Sequence, residues 1–361
     1  MKNKMKVMRF MEPKVMKYQE EDIPTIGEND ILIKVKSVGI CGSDLAYYYG
    51  ESPLDTPDGH GPLILGHEGS GVIAEIGETA KKLGLFTLGD RVAFNPVQQC
   101  NACPACMRGE FNACSHVEVV GTSVDGAMAE YVKVRYTHVY KIPDAVSFDK
   151  AAIAEPLACS TNAVNRLEVK MGQTVVVYGV GGIGLMMTQL VRAAGAGKVI
   201  VVARKDFGLE KALECGADFV INNSDTTSPY YATNVSEKVR AFNNGELADR
   251  AILATGNMSA LQDSLTVTGA CSTVVFFGLP SPKDVLSVPA LANLKSEKTL
   301  KFAWLSPLVW DTVFKVIESG QVNLDLIITN KFSLEDAEKG IIYMRESKEP
   351  KVKGIIVVDP E

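Results

Sequence analysis

The stretch Thr174–Ala194, TVVVYGVGGIGLMMTQLVRAA, constrains the fold of this chain more than any other. It reads as an apolar strand, a glycine turn and a helix. Val175, Val176 and Val177 are β-branched and uninterrupted, as expected of a strand buried on both faces of a parallel sheet. Gly179, Gly181 and Gly184 then place a GxGxxG pattern directly after the strand, with Gly182 and Ile183 inside it. A nucleotide pyrophosphate needs backbone N–H groups at close range, where a Cβ would block its approach. The helix that follows turns its positive end toward the phosphates. A plain packing turn competes with this reading. A membrane span does not, because the run is cut by four glycines and carries Gln189.

With 361 residues the chain is long enough for two domains, each with its own core. Its 46% hydrophobic and 22% charged residues fit a soluble globular protein. A net charge of −6 gives no support to nucleic-acid binding. No apolar core follows the basic start MKNKMKVMRF, so no signal peptide is expected, nor any membrane segment. Four of the eight cysteines fall within fifteen residues. Without a secretory signal that crowding favours metal over disulfides, and a reducing cytoplasm is the expected compartment.

Residues 1–153 read as β-rich. Ile31, Ile33 and Val35 alternate with Leu32, Lys34 and Lys36, and short strands are expected at 72–76, 91–94 and 131–134. Residues 51–62, ESPLDTPDGHGP, read as an irregular loop. From Ala154 strands and helices alternate: strands at 175–178, 199–202, 219–221, 251–254 and 273–277, with helices at 183–194, at 206–215 and from about Asn257. This is the pattern of a doubly wound parallel sheet. Further on, residues 307–319 read as helical, Ser333 as the N-cap of a helix running to about Met344, and 354–358 as a last strand.

Cys100, Cys103, Cys106 and Cys114 give C-x2-C-x2-C-x7-C. Four thiolates at this spacing can close a tetrahedron around zinc and cross-link a long loop, leaving no open position and hence a structural role. An iron–sulfur cluster would use the same ligands. A zinc ribbon for nucleic acid lacks the basic and aromatic residues it would need around the cluster.

A second constellation is spread more widely: Cys41 in GICGSD, His67 and Glu68 in GHE, and Glu155 in EPLA. Singly, each reads as a buried thiol, a core histidine or an ordinary carboxylate. Together they are zinc-ligand types, and three protein ligands leave one position for water or substrate. Such a zinc polarises a carbonyl or lowers the pKa of an alcohol, whose alkoxide expels hydride to a nicotinamide held at the glycine turn. Ser43, two residues after Cys41, is placed to pass the alcohol proton outward.

These motifs, with GDRV at 89–92 and YGVGGIGLM at 178–186, resemble the zinc-dependent medium-chain dehydrogenases, in particular the sorbitol (polyol) dehydrogenase-like branch. The resemblance covers essentially the whole chain. It implies an α/β plus β architecture: a GroES-like catalytic domain from residues 1–153 and 297–361, a Rossmann domain inserted at 154–296, and a catalytic zinc in the cleft. It also implies Cys41 and His67 as ligands of that zinc, with Glu68 or Glu155 as the third and the other carboxylate beside the metal or exchanging with it. Cys100, Cys103, Cys106 and Cys114 resemble the ligands of the family's structural zinc. The strand at 273–277, taken as the sheet edge, and residues 279–288 are expected to pair with a second subunit in a homodimer or homotetramer.

Two departures from the family pattern matter. At the end of the second Rossmann strand, where NAD-using relatives carry an acidic residue for the ribose hydroxyls, Ala203 is followed by Arg204 and Lys205. Those cations suit a 2′-phosphate, so NADP(H) is expected over NAD(H). Ala46 stands where polyol-handling relatives have a histidine, and Ala303-Trp304 where they have an arginine–aromatic pair. Tyr47 remains as a substrate contact. The expected reaction interconverts a secondary alcohol, a polyol or sugar-derived one, and its ketone. Losing a fork of donors suited to hydroxyls points to a less hydroxylated or bulkier substrate than sorbitol. A zinc-free quinone or enone reductase of the same fold and a non-enzymatic zinc-binding protein are the competing readings.

Overall fold

The protein is described here from a computed structural model covering residues 4–54 and 56–360. It divides into two compact units. The first comprises the chain up to Pro156, Trp310–Glu318 and the chain from Ile328 on; the second comprises Leu157–Val309 and Ser319–Ile327. No helix among the described residues is long and apolar enough to cross a membrane.

The first unit is built on a seven-stranded, mostly antiparallel sheet. Its order is Val139–Lys141, Arg91–Phe94, Glu68–Ile76, Asp30–Gly39, Lys353–Val357 and Ile328–Ser333, with Tyr131–Arg135 also pairing Asp30–Gly39. Ile31, Ile33 and Val35 are fully buried, while Lys34 and Lys36 reach partway to solvent, as the alternation requires. A smaller sheet, Val15–Asp22, Lys4–Glu12 and Leu63–Ile64, packs into the same core. Register decides what gathers at one end of the large sheet. Gly39 lies opposite Glu68 on one neighbouring strand and opposite Ile355 on the other. Residues 40–44, 67–68 and 353–354 therefore meet, although they come from three distant parts of the chain.

The second unit is a six-stranded parallel sheet in the order Phe219–Asn222, Lys198–Ala203, Thr174–Tyr178, Ala248–Leu253, Thr268–Phe276, Thr299–Phe302. Helices Gly182–Ala193, Asp206–Glu214, Val235–Phe242 and Met258–Val267 connect its strands. The three glycines of the turn serve three separate purposes. Gly179 has φ +106°, a backbone conformation that disfavours any side chain. A Cβ on Gly184 would lie 2.0 Å from the Gly179 carbonyl oxygen, so only glycine lets the helix approach the strand. A Cβ on Gly181 would project into open space, the cradle left for a ligand.

Two expectations are corrected. The strand over 273–277 is not the sheet edge: Thr268–Phe276 is interior, and Thr299–Phe302 pairs with it as a further parallel strand. That four-residue strand, TLKF, is too short to stand out as a period-2 pattern, and it extends the parallel sheet past residue 297. Ser333 caps a turn rather than a helix. Its Oγ accepts the Asp336 N–H at 3.1 Å, and the helix proper is Ala337–Glu346.

Candidate active site

Cys41 precedes the first residue of helix Gly42–Tyr49, at the point where strand Asp30–Gly39 ends. His67 immediately precedes strand Glu68–Ile76. Because Gly39 pairs with Glu68, the Cys41 thiol, the His67 imidazole and the Glu68 carboxylate converge: their ligand atoms lie within 4.8 Å of one another. Ile40 is held in place by its N–H donating to the Gly354 carbonyl at 2.9 Å. Glu155, in the first turn of Ala154–Leu167, is buried and close enough to act on His67 electrostatically.

His67, Glu68 and the adjoining Asp44 are buried. The Asp44 carboxylate is fully buried; its Oδ2 accepts the Cys41 N–H at 2.8 Å, and its Oδ1 lies 3.7 Å from His67 Nδ1. Asp44 Oδ1, His67 Nδ1 and Glu68 Oε2 are all buried without a hydrogen-bond partner. Burial opposes a charge on His67, but Cys41 and Asp44 beside it outweigh that and hold its pKa well above the usual value. A pocket that pulls a proton onto a buried imidazole against desolvation favours a cation. Cys, His and Glu donors within 4.8 Å of one another also match what zinc takes. The orphaned ring nitrogen, Nδ1, faces the Asp44 carboxylate, an arrangement that orients a metal-binding histidine.

Ser43 is half-buried in the first turn of the Gly42–Tyr49 helix, two residues from Cys41. Tyr47 points into the core, its ring 6.3 Å from that of Phe10. Trp304, in the second unit, is substantially exposed, and its carbonyl accepts a hydrogen bond from the Asn162 side chain.

The four-cysteine lobe is compact. Sγ–Sγ distances are 4.0 Å for Cys100–Cys106, 3.6 Å for Cys103–Cys106 and 3.9 Å for Cys103–Cys114. A tetrahedron with Zn–S arms of about 2.3 Å has edges of about 3.8 Å. All four cysteines are free rather than disulfide-bonded. Backbone N–H groups of Cys106 and Ser115 pull the Cys103 thiol down to about 5, while burial pushes Cys106 up to about 12.

In the second unit a cavity of about 250 Å³ opens at the carboxyl ends of the parallel strands, lined by Gly179, Gly181, Ala203, Arg204, Lys205 and Asn223 among others. Gly182 and Ile183 open the helix above it and are half-buried. Arg204 and Lys205 are exposed at its rim. The nearest carboxylate, Asp206, is engaged elsewhere: its Oδ1 accepts from Asn222 Nδ2 at 2.7 Å and from Ser228 Oγ at 2.6 Å.

Two residues of the first cluster escape a reading of the sequence. Asp44 stands inside the GICGSD motif, and its spacing from Cys41, three residues across a helix start, could have marked it as a cap. Lys353 carries no local signal. It is buried, its Nζ lies 2.6 Å from Glu68 Oε1, and it arrives on a strand 285 residues later.

The cysteine lobe gives a direct prediction. Cys103→Ser should open the tetrahedron and lower the thermal midpoint by roughly 5–10 °C, followed by circular dichroism. An unchanged midpoint would show that the lobe holds no metal.

The comparisons with known proteins agree with this geometry. Residues 27–144 match the alcohol dehydrogenase GroES-like domain and residues 182–319 the zinc-binding dehydrogenase domain. Sorbitol dehydrogenase of Bacillus subtilis is 33% identical over 325 residues, 90% of this chain and 88% of that one. A putative zinc-binding dehydrogenase of Sinorhizobium meliloti, solved with NADP, superposes with a TM-score of 0.88 at 28% identity, covering 98% of this chain and 99% of the other. A short chain alcohol dehydrogenase of Escherichia coli CFT073, complexed with NADH, gives 0.88 at 29% identity, again over 98% and 99%. The chain belongs to the zinc-dependent medium-chain dehydrogenases and is an oxidoreductase of their polyol dehydrogenase-like branch.

Proposed function

We propose that this enzyme oxidises a secondary alcohol, a polyol or sugar-derived one, to its ketone with NADP⁺, and runs the reverse reaction with NADPH. The hydroxyl loses its proton, the carbinol carbon loses hydride to the nicotinamide, and the products are ketone, NADPH and H⁺. The observation that carries this reading is the convergence of Cys41, half-buried, with His67 and Glu68, both buried, whose ligand atoms lie within 4.8 Å of one another. Cys41 and His67 would hold a zinc, with Glu68 or Glu155 as the third protein donor. That metal supplies Lewis acidity, which lowers the pKa of a bound alcohol. Asp44 orients His67, and Ser43 takes the alcohol proton toward solvent. Cys100, Cys103, Cys106 and Cys114 would hold a second, structural zinc.

The backbone of Gly179–Gly184 would receive the pyrophosphate, with the open side of Gly181 as its seat. Three features support NADP(H): Ala203 at the strand end, Arg204 and Lys205 at the rim, and the tying of Asp206 to Asn222 and Ser228. A free carboxylate there would bind the ribose hydroxyls of NAD and repel a 2′-phosphate; a guanidinium does the reverse. Ala46 and Trp304 favour a substrate bulkier or less hydroxylated than sorbitol. Cys41→Ser should abolish turnover while leaving the fold nearly intact.

Association of two or more copies follows from the open edge of Thr299–Phe302 and its exposed neighbours Val285, Leu291, Leu294 and Phe302. Light scattering should give a dimer or tetramer of the 38.9 kDa chain, and Phe302→Asp should shift it toward monomer. A monomeric wild type would dismiss this.

For the cofactor, kcat/KM measured over a panel of polyols and secondary alcohols should favour NADP⁺ over NAD⁺ at least tenfold. Arg204→Ala should cut that preference by roughly 10- to 100-fold, the worth of a charge-assisted hydrogen bond. A tenfold preference for NAD⁺ would refute the cofactor reading.

A further inference from the structure

Arg204 and Lys205 are exposed and take part in no ion pair among the described residues, although Asp206 follows them directly in the chain. A carboxylate beside two cations ordinarily pairs with one of them. Asp206 turns away instead. Its Oδ1 accepts from Asn222 Nδ2 at 2.7 Å and from Ser228 Oγ at 2.6 Å. Asn222 ends strand Phe219–Asn222 opposite Ala203 and is fully buried. Its amide can face only one way: Oδ1 accepts the N–H groups of Ser224 and Asp225, both at 2.9 Å, which leaves Nδ2 for Asp206. Ser228 is buried in the excursion that follows, and backbone hydrogen bonds close that excursion around it. The Asn223 N–H donates to the Ala203 carbonyl at 3.1 Å, the Tyr231 N–H to the Ser228 carbonyl at 3.1 Å, and the Ala232 N–H to the Asn222 carbonyl at 3.0 Å.

We infer that Asn222 and Ser228 are positioning residues for cofactor choice: they hold the Asp206 carboxylate on themselves, so that Arg204 and Lys205 stay unpaired for a 2′-phosphate. The inference rests on the NADP(H) reading given above and adds a cause for it. Hydrogen bonds to a charged acceptor outweigh a solvent-exposed ion pair, so with both donors present the carboxylate stays on them. Loss of the Ser228 hydroxyl leaves Asp206 with one neutral donor against two adjacent cations, and the balance moves toward the cations. A guanidinium paired in this way is a poorer donor to a phosphate, and the carboxylate brought with it repels the phosphate. The two cations are thus one half of the device. A loop hydroxyl 22 residues after Asp206 supplies the other half.

The test is calorimetric titration of the whole protein with adenosine 2′,5′-bisphosphate and adenosine 5′-monophosphate, which differ only in the 2′-phosphate. The wild type should bind the bisphosphate more tightly. Ser228→Ala should lower that preference about fivefold, the upper worth of one exposed charge pair, while binding of the monophosphate stays within about twofold. Asp206→Asn added to Ser228→Ala should restore the wild-type preference, because the group released is then neutral. Ser228→Thr, which keeps the hydroxyl, should hold it. A Ser228 that only stiffens its loop would instead weaken both nucleotides alike, with no rescue by Asp206→Asn. That result, or an unchanged preference in Ser228→Ala, overturns the inference. Should Ser228→Ala not fold, Asp206→Asn alone decides. Its preference should stay within about twofold of wild type, since the carboxylate is already out of play, and a rise of about fivefold would show that Asp206 acts on the phosphate where it stands. A wild type that prefers the monophosphate, or does not distinguish the two, sinks the NADP(H) reading itself. A wild type that prefers the bisphosphate, with Ser228→Ala unmoved, sinks only the roles of Asn222 and Ser228.

Discussion

A cluster of ionisable groups gathered at one end of the antiparallel sheet governs how this molecule is put together. Three strands end there in register, delivering a thiol, an imidazole and carboxylates into a space where water is scarce. An unpaired charge buried there would destabilise the fold by on the order of several kcal/mol. Lys353 compensates one carboxylate. His67 is driven toward its protonated form, and Asp44 Oδ1 and Glu68 Oε2 remain without partners. A divalent cation held among them, as proposed, would satisfy the rest. Structure and chemistry would then be one problem at this site: the ion that completed the charge balance would also supply the Lewis acidity.

The nucleotide-binding unit solves a complementary problem by removing side chains. Gly179, Gly181 and Gly184 each lack a Cβ for a different steric reason, and their sum is a bare backbone surface at the start of a helix. One strand later, Arg204 at the rim and the tying of Asp206 to Asn222 and Ser228 are the features that support the proposed preference for NADP(H).

The legibility of these features in the sequence follows from how local their causes are. The glycine turn is readable because φ and close approach act within six residues. The cysteine lobe is readable because its ligands lie in one loop, and their sulfurs come within 3.6–4.0 Å for the three close pairs. Cys41, His67 and Glu68 are readable as a set only through motifs in a recognisable order, since their meeting depends on strand register. Lys353 is not readable at all: nothing near it in the chain records the partner that makes its burial tolerable. Thr299–Phe302 is missed for a related reason. Its four residues alternate too briefly to signal a strand, and only pairing with Thr268–Phe276 makes them one. The Tyr47 ring packs near Phe10 in the core cluster, a placement its helical spacing allows.

The central claim is that the protein carries two different metal sites, one closed and one with room for substrate. Metal content of the zinc-reconstituted protein, measured by mass spectrometry of the digested sample after removal of loosely held ions, tests it most directly. The account predicts about two zinc ions per chain. One ion or fewer per chain would contradict it, because the charge gathered around Cys41 and His67 would then have no cation to answer it.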